Sequence, residues 1–269
     1  MENFVVIDLG SNSVRMTITR INEDGTHETV THMKEFVRLS ENMGEKKILQ
    51  PAAIERTLKA LHSFKDIYKK LDNVRIKAVA TAAVRQASNQ KAFLKQVKSE
   101  IGINLEVISG TQEAYYDYIE VTETLPITNA ILIDTGGASI EIVLVQNGKV
   151  TNLISIPIGS VTISSEYDLG NHVSASELFK AVISINEIFQ NIWWLKNGLN
   201  LPIIGLGGSN RTLAKINRRR DRLFNMEDVH GYQIKDTQVN KTFEDIISLD
   251  FEGRKEVPGI SKDRADIIV

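Results

Sequence analysis

Apolar and polar positions along this chain run through one sequence of elements twice. The first round opens with three extended runs, Phe4–Asp8, Ser13–Ile21 and His27–Val37, with the hairpin signal "NEDGT" between the second and third. From Pro51 to Leu71, Ile54, Leu58, Leu61 and Ile67 or Tyr68 recur at helical spacing, and Pro51 suits a first turn. Asn73–Thr81 reads as a buried strand and Asn89–Gly102 as a helix ended by its glycine. A short strand at Ile103–Ser109 leads into a helix over Ser109–Val121.

The second round repeats the order. Asn129–Thr135, Ser139–Gly148 and Lys149–Gly159 are extended, with "QNGK" as a tight turn. A long helix follows near Ser176–Leu195, then a strand over Leu201–Gly207, a glycine turn and a helix from about Asn210. The polar segment Ile216–Ile234 shows no period. Further helices are expected at Thr237–Ser248 and from Ser261 onward. The boundary falls near Leu125–Thr128, which gives domains over 1–125 and 126–269. With no low-complexity linker, the halves are expected to pack closely and enclose a cleft.

Composition narrows the function. In 269 residues, 42% hydrophobic and 25% charged, there is enough apolar material for two cores. A formal net charge of −2 argues against a chain-wide polyanion binder such as a nucleic-acid protein, so any anion site must be local. With no cysteine, disulfides and thiolate metal sites are excluded. No apolar run approaches the ~20 residues of a membrane span. The strand beginning at Phe4 leaves no room for a signal peptide, so the expected home is the cytoplasm, with no membrane partner.

The repeat carries the chemistry. Setting Asp8 on Asp134, 126 positions later, sets Gly10 on Gly136, Ser13 on Ser139, Val14 on Ile140 and Arg15 on Glu141. Both copies read strand, aspartate, glycine turn, strand, which suggests duplication. A turn of glycine and serine lets backbone N–H groups converge on an anion. An aspartate beside it repels phosphate but can hold Mg²⁺, which bridges to phosphate oxygens. One "DLGSNS" is more often a plain hairpin turn than a phosphate loop; two copies at matching places favour the phosphate reading.

Other segments admit a bland and a sharp reading. "GLGGSNRTLAKI" is strand, glycine turn and helix, suited to phosphate or merely to close packing. Arg85 follows a strand of small residues and either grips phosphate or lies on the surface. Ser109 and Gln112 form a capping-box pattern that puts Glu113 in the first helical turn. Glu113 then complements the helix dipole or acts on water as a base. Arg218, Arg219, Arg220 and Arg222 form a solvated face or an outer guide for a polyanion, and Trp193–Trp194 is a packing or interface pair.

Taken in order, "VVIDLGSNSVRM", "ATAAVRQASN", "SGTQEA", "LIDTGGASIEI", "SIPIGSV", "GLGGSNRTLAK" and "PGISKDRAD" resemble the exopolyphosphatase / guanosine pentaphosphate phosphatase (Ppx/GppA) family. That family belongs to the superfamily of actin, sugar kinases and heat-shock ATPases. The resemblance runs from Val5 to Val269. It implies an α/β fold of two ribonuclease-H-like (actin-like ATPase) domains with an inter-domain active-site cleft. It also implies Mg²⁺-dependent removal of terminal phosphate from inorganic polyphosphate or guanosine pentaphosphate. A monovalent cation such as K⁺ is a candidate second ion.

Carried onto this chain, the resemblance makes Glu113 the activator of water, and Arg85 and Glu141 its catalytic companions. Asp8, Asp134 and Glu141 are the metal-side carboxylates. Ser11, Asn12, Ser13 and Arg15, then Gly136, Gly137 and Ser139, then Gly207, Gly208, Ser209 and Arg211 are the phosphate contacts. Arg15, Arg38, Arg85, Arg211 and Lys215 are expected to line a basic groove, with Arg218–Arg222 further out.

The pattern departs in three places. Ala138 replaces a glycine in the second loop, and "RLSEN" at Arg38–Asn42 lacks both glycines of an "RLGEG" segment. The chain stops inside an apparent helix headed by Ser261, so its second domain is expected to be truncated. Exopolyphosphatase is the first reading. Guanosine pentaphosphate phosphohydrolase, a non-catalytic nucleotide or polyphosphate sensor and an ATP-dependent kinase are the alternatives. The resemblance and the tryptophan pair also point to a homodimer.

Overall fold

The computed structural model describes residues 1–223, 225 and 227–269. Two compact units divide the chain, Met1–Gly110 and Thr111–Val269.

The first unit is a five-stranded sheet with helices. β1 (Glu2–Leu9), β2 (Ser13–Ile21) and β3 (His27–Phe36) form an antiparallel meander. After α1 (Pro51–Tyr68), β4 (Val74–Ala80) returns parallel to β1. α2 (Ala82–Gln86) and α3 (Gln90–Ile101) lead to β5 (Leu105–Val107), giving the order β3-β2-β1-β4-β5. Alternation in β1 and β2 sends Val5, Ile7, Leu9, Met16 and Ile18 into a core with Leu61 and Phe64 of α1 and Phe93 and Val97 of α3. Gly102 ends α3 at φ +85°, as its sequence position requires.

The second unit begins with α4 (Gly110–Thr124). β6 (Ala130–Thr135), β7 (Ile140–Gln146) and β8 (Lys149–Ile156) form the second meander. Asn147 and Gly148 both take positive φ in the β7–β8 turn, the signature of a type I′ hairpin. α5 (Ser160–Glu166) and α6 (Ala175–Gln190) precede β9 (Ile203–Leu206), which pairs parallel to β6. α7 (Gly207–Arg220), α8 (Asp236–Ile247) and α9 (Phe251–Lys255) complete it.

The duplication extends to backbone detail. β2 and β3 slip register between Ile18 and Thr19, and β7 and β8 slip between Leu144 and Val145. Those positions are related by the same offset that relates Asp8 to Asp134.

Several expectations change. The division lies at Gly110 rather than at 125/126, because Ala114 and Val121 of α4 are buried with Ala130, Leu132, Val143 and Val145. The helix expected from Ser261 is a single 3₁₀ turn, Lys262–Arg264. The tryptophans part company: Trp194 is buried in a core with Ile140 and Ile142, while Trp193 is exposed. Within the unassigned polar segment, Ile216–Arg220 finishes α7, and Phe224 and Met226 lie outside the described residues. Among the described residues no helix is long and apolar enough to cross a membrane.

Candidate active site

Both loops grow from one hydrogen-bond plan. Gly10 N donates to Ser13 O at 3.0 Å, and Gly136 N donates to Ser139 O at 3.0 Å. The segment after each meander then caps loop carbonyls. In the first unit Val37 N and Arg38 N donate to Asn12 O (3.0 and 2.9 Å), and Ser40 N donates to Ser11 O (3.0 Å). In the second, Ser160 N donates to Gly136 O and Val161 N to Gly137 O, each at 2.9 Å.

The first loop is tightly buried. Ser11, Asn12 and Ser13 are almost closed to solvent, and Ser11 Oγ accepts from Ala83 N at 3.1 Å, tying the loop to α2. Both polar atoms of the Asn12 carboxamide are buried with no hydrogen-bond partner among the described residues. Such a group is costly unless a ligand or water meets it. Asp8 faces Arg15 across β1–β2, with Oδ2 and Nη1 4.0 Å apart and both side chains more than a third exposed. Arg85 lies on α2, and its Nη1 donates to Ile108 O at 3.0 Å.

The departures in sequence are absorbed. Asn42 takes φ +54°, a conformation asparagine tolerates. Ser40 uses its hydroxyl to bond Ser11 O at 3.3 Å. Arg56 holds the segment from below, donating to Val37 O (3.0 Å) and to Glu41 Oε2 (2.7 Å). Ala138 is not among the residues with positive φ, so alanine sits there without the strain of a left-handed backbone.

The second loop is acidic. Asp134 ends β6 and faces Glu141 on β7, where the first unit has Asp8 and Arg15. Glu141 is only 2% exposed, and Ser155, opposite it on β8, donates to its Oε1 at 2.6 Å. Burial first, and then the charge of Glu113, push the Glu141 carboxyl up to about 8. Hydrogen bonds from Ser155 and Ser139 partly offset this. Asp117, one turn beyond Glu113 on α4, is pushed up to about 9 by burial and then by the charges of Asp134, Glu141, Glu113 and Glu120. Its Oδ2 is buried without a hydrogen-bond partner among the described residues.

The glycine turn after β9 is spoken for. Gly207 takes φ +80°, and a Cβ there would stand 2.2 Å from Asp134 Oδ1. A Cβ on Gly208 would stand 1.6 Å from Arg264 Nη2. These glycines make room for a carboxylate and a guanidinium at the start of α7. Arg264 is 8% exposed, and its Nη1 donates to Ser209 Oγ at 3.4 Å. Asn210 Nδ2 ties the turn back to Leu206 O at 2.7 Å. Arg211 is exposed, 3.9 Å from Glu120.

The second unit thus gathers Glu113, Asp134, Glu141 and Ser139, with Gly207, Gly208 and Ser209 beside Asp134 and Arg264. The structure adds three residues to the sequence reading. Asp117 was findable from its i+4 spacing to Glu113, and Arg264 lay inside the "RAD" motif. Ser155 needed the β7–β8 register.

The outer cations Arg218, Arg219 and Arg220, and Lys215 of the inner set, have partners within the second unit. Lys215 and Arg219 are paired with Glu227, and Arg220 with Asp245 at 2.8 Å. Arg218 lies over the Tyr232 ring and donates to Asn225 O.

A divalent cation fits the chemistry of the donors. Among the described residues no three His, Cys, Asp or Glu side chains are grouped to hold a metal alone. Mg²⁺, however, takes only one or two carboxylates and completes its shell with water and substrate phosphate oxygens. Asp134 and Glu141 supply such a pair, and their mutual repulsion is what a cation would relieve.

Comparison with known proteins gives the family. Residues 17–269 match the model of the Ppx/GppA phosphatase family. A bifunctional 3-dehydroquinate synthase/phosphatase of Fusobacterium nucleatum is 30% identical over 98% of this chain, which spans 41% of that protein's length. The Aquifex aeolicus Ppx-GppA enzyme is 30% identical over 99% of this chain and 88% of its own, with a TM-score of 0.76. An exopolyphosphatase of Cytophaga hutchinsonii has the same fold, with a TM-score of 0.91 over 100% of this chain and 87% of its own at 24% identity. With its paired carboxylates, duplicated loops and near-complete match, the chain belongs to the Ppx/GppA phosphatase family.

Proposed function

We propose that this phosphatase hydrolyses the terminal phosphoanhydride bond of inorganic polyphosphate, with Mg²⁺ held by Asp134 and Glu141. The observation that carries the reading is the acidic cluster at the second loop, where Glu141 and Asp117 sit well above the usual carboxylate range. A cation there would neutralise charge on the phosphate oxygens. Glu113, in the first turn of α4, orients the attacking water and takes its proton. Arg264 presents its guanidinium fork to the transferred oxygens, and the loop amides add donors.

A non-catalytic sensor is a further alternative: Arg38 (φ +46°) and Asn42 (φ +54°) both take positive φ in "RLSEN", and binding of polyphosphate without turnover would favour it. Guanosine pentaphosphate is the second reading. Tyr116 is 52% exposed and lies one helical turn from Glu113, where a base could stack on it. The test is a panel of short polyphosphate, long polyphosphate, guanosine pentaphosphate and ATP at fixed Mg²⁺. Phosphate release from the polyphosphates is expected. Release from guanosine pentaphosphate alone would move the assignment to the second reading. Transfer to an added acceptor would make the protein a kinase. Exposed Trp193 is the contact proposed for a homodimer, and a monomer mass by light scattering would remove it.

A further inference from the structure

Arg254 is the largest side chain wholly shut off from solvent among the described residues. Its guanidinium meets main-chain carbonyls from three separate segments. Nε donates to Leu249 O at 3.2 Å, just before α9. Nη1 donates to Leu169 O (3.1 Å) and Gly170 O (3.3 Å), and Nη2 to Asn171 O, all between α5 and α6. Nη1 also donates to Ala265 O at 3.0 Å. None of these partners is a carboxylate; Asp250 and Asp266 act on the charge only at longer range. A buried cation is expensive, and an apolar side chain would fill the same volume at lower cost. What only arginine brings is five N–H donors in a rigid plane, able to pin several carbonyls at once.

The pinned carbonyl that matters is that of Ala265, the residue after Arg264. This stretch has little regular structure of its own. It is one 3₁₀ turn, further held by Ser164 Oγ donating to Asp266 O and by Ile267 N donating to Arg264 O at 3.0 Å. Yet its Arg264 must fit a narrow seat, over a glycine that leaves no room for a Cβ and within reach of Ser209.

We propose that Arg254 is a positioning residue: by fixing the Ala265 carbonyl it sets where the Arg264 guanidinium lies over Gly208 at the start of α7, beside Asp134. This rests on the reading that Arg264 contacts substrate phosphate. Arg254 itself is fully enclosed, so its influence passes through the backbone it holds.

The test is a double-mutant cycle of Arg254→Lys and Arg264→Gln, with phosphate release from polyphosphate as the readout. Lysine keeps the charge but cannot span the carbonyls. Arg254→Lys alone is expected to lower kcat by about tenfold to a hundredfold, the effect of ångström-scale misplacement, with KM less affected. In the Arg264→Gln background the same change should alter kcat by less than about twofold. Equal losses in both backgrounds would reduce Arg254 to a stabiliser of the fold and overturn the proposal. A second measurement is independent of activity: hydrogen exchange of the amides of residues 262–267 should be faster in Arg254→Lys, and unchanged exchange would also overturn it. If Arg264→Gln alone kept full turnover, the role given to Arg264 would fall, while exchange would still decide whether Arg254 holds the segment.

Discussion

At the end of β1, Asp8 faces Arg15 across the strand pair; at the matching place in the second unit, Asp134 faces Glu141. The backbone is the same in both, down to the glycine-to-serine hydrogen bond and the slipped register of the outer strands. One substitution at the second position reverses the electrostatics. In the first unit the charges cancel at the surface, and the loop keeps a buried, unpartnered asparagine. In the second, two like charges meet, and burial raises the Glu141 carboxyl. The duplicated scaffold thus carries an opposite-charge pair in one unit and a like-charge pair in the other, and one cross-strand residue makes the difference.

The largest expected effect comes from the helix that completes the acidic cluster. Glu113→Gln should lower turnover on polyphosphate by roughly 10²–10⁴, the usual cost of losing a general base. Single-turnover phosphate release measures it directly, and a variant at full activity would remove Glu113 from the mechanism.

The glycine turn sharpens the contrast next. After β4 the first unit makes the corresponding turn with Ala80 and Thr81, whereas the second uses Gly207 and Gly208 to seat Asp134 and Arg264. Gly208→Ala should displace Arg264 and lower kcat by about tenfold or more. An unchanged kcat would mean the guanidinium can move aside without consequence.

A smaller effect is on stability. Burial and neighbouring charge raise Glu141 from its ordinary 4.5 to about 8 and Asp117 from 3.8 to about 9. Between those limits the folded chain binds more protons than the unfolded one. The stability contributed by the neutral forms is therefore complete below the ordinary values and lost as pH rises through 8 and 9. The Tm of metal-free protein should fall across that window, and Glu141→Gln should flatten the fall. Asp8→Asn should leave it intact, because Asp8 lies in the neutralised pair. A Tm that rises with pH would contradict the assignment.

The smallest effect is expected at the arginine cluster. Replacing Arg218, Arg219 and Arg220 together by glutamine should cost stability through the lost Glu227 and Asp245 pairs, while short and long polyphosphate are affected alike. A selective loss on long polymer would restore the outer-groove reading.

Much of this was legible in the sequence, for physical reasons. Continuous apolar runs ending in aspartate, "FVVID" and "AILID", marked the strands, and the offset between the two aspartates exposed the duplication. Glu141 could be named because it follows Asp134 at the spacing of Arg15 from Asp8. What escaped depends on contacts distant in sequence. Ser155 approaches Glu141 through strand register, and Arg264 reaches Gly208 from 56 residues away. Arg254 lies in the polar stretch "EGRKE" and is nonetheless wholly enclosed. The paired state of Arg219 and Arg220 was equally hidden, since Glu227 and Asp245 lie beyond any helical spacing.

The most direct test of a division between a neutral loop and a catalytic one compares Glu141→Gln with Arg15→Gln. Both replace a charged residue at the same place in the repeat. Phosphate release from polyphosphate would be followed while Mg²⁺ is varied. Glu141→Gln should lower kcat by about 10²-fold or more and raise the Mg²⁺ requirement, whereas Arg15→Gln should act mainly on KM, by about tenfold or less. Equal losses in kcat, or a Mg²⁺ requirement that moves only with Arg15, would contradict the assignment of the chemistry to the second loop.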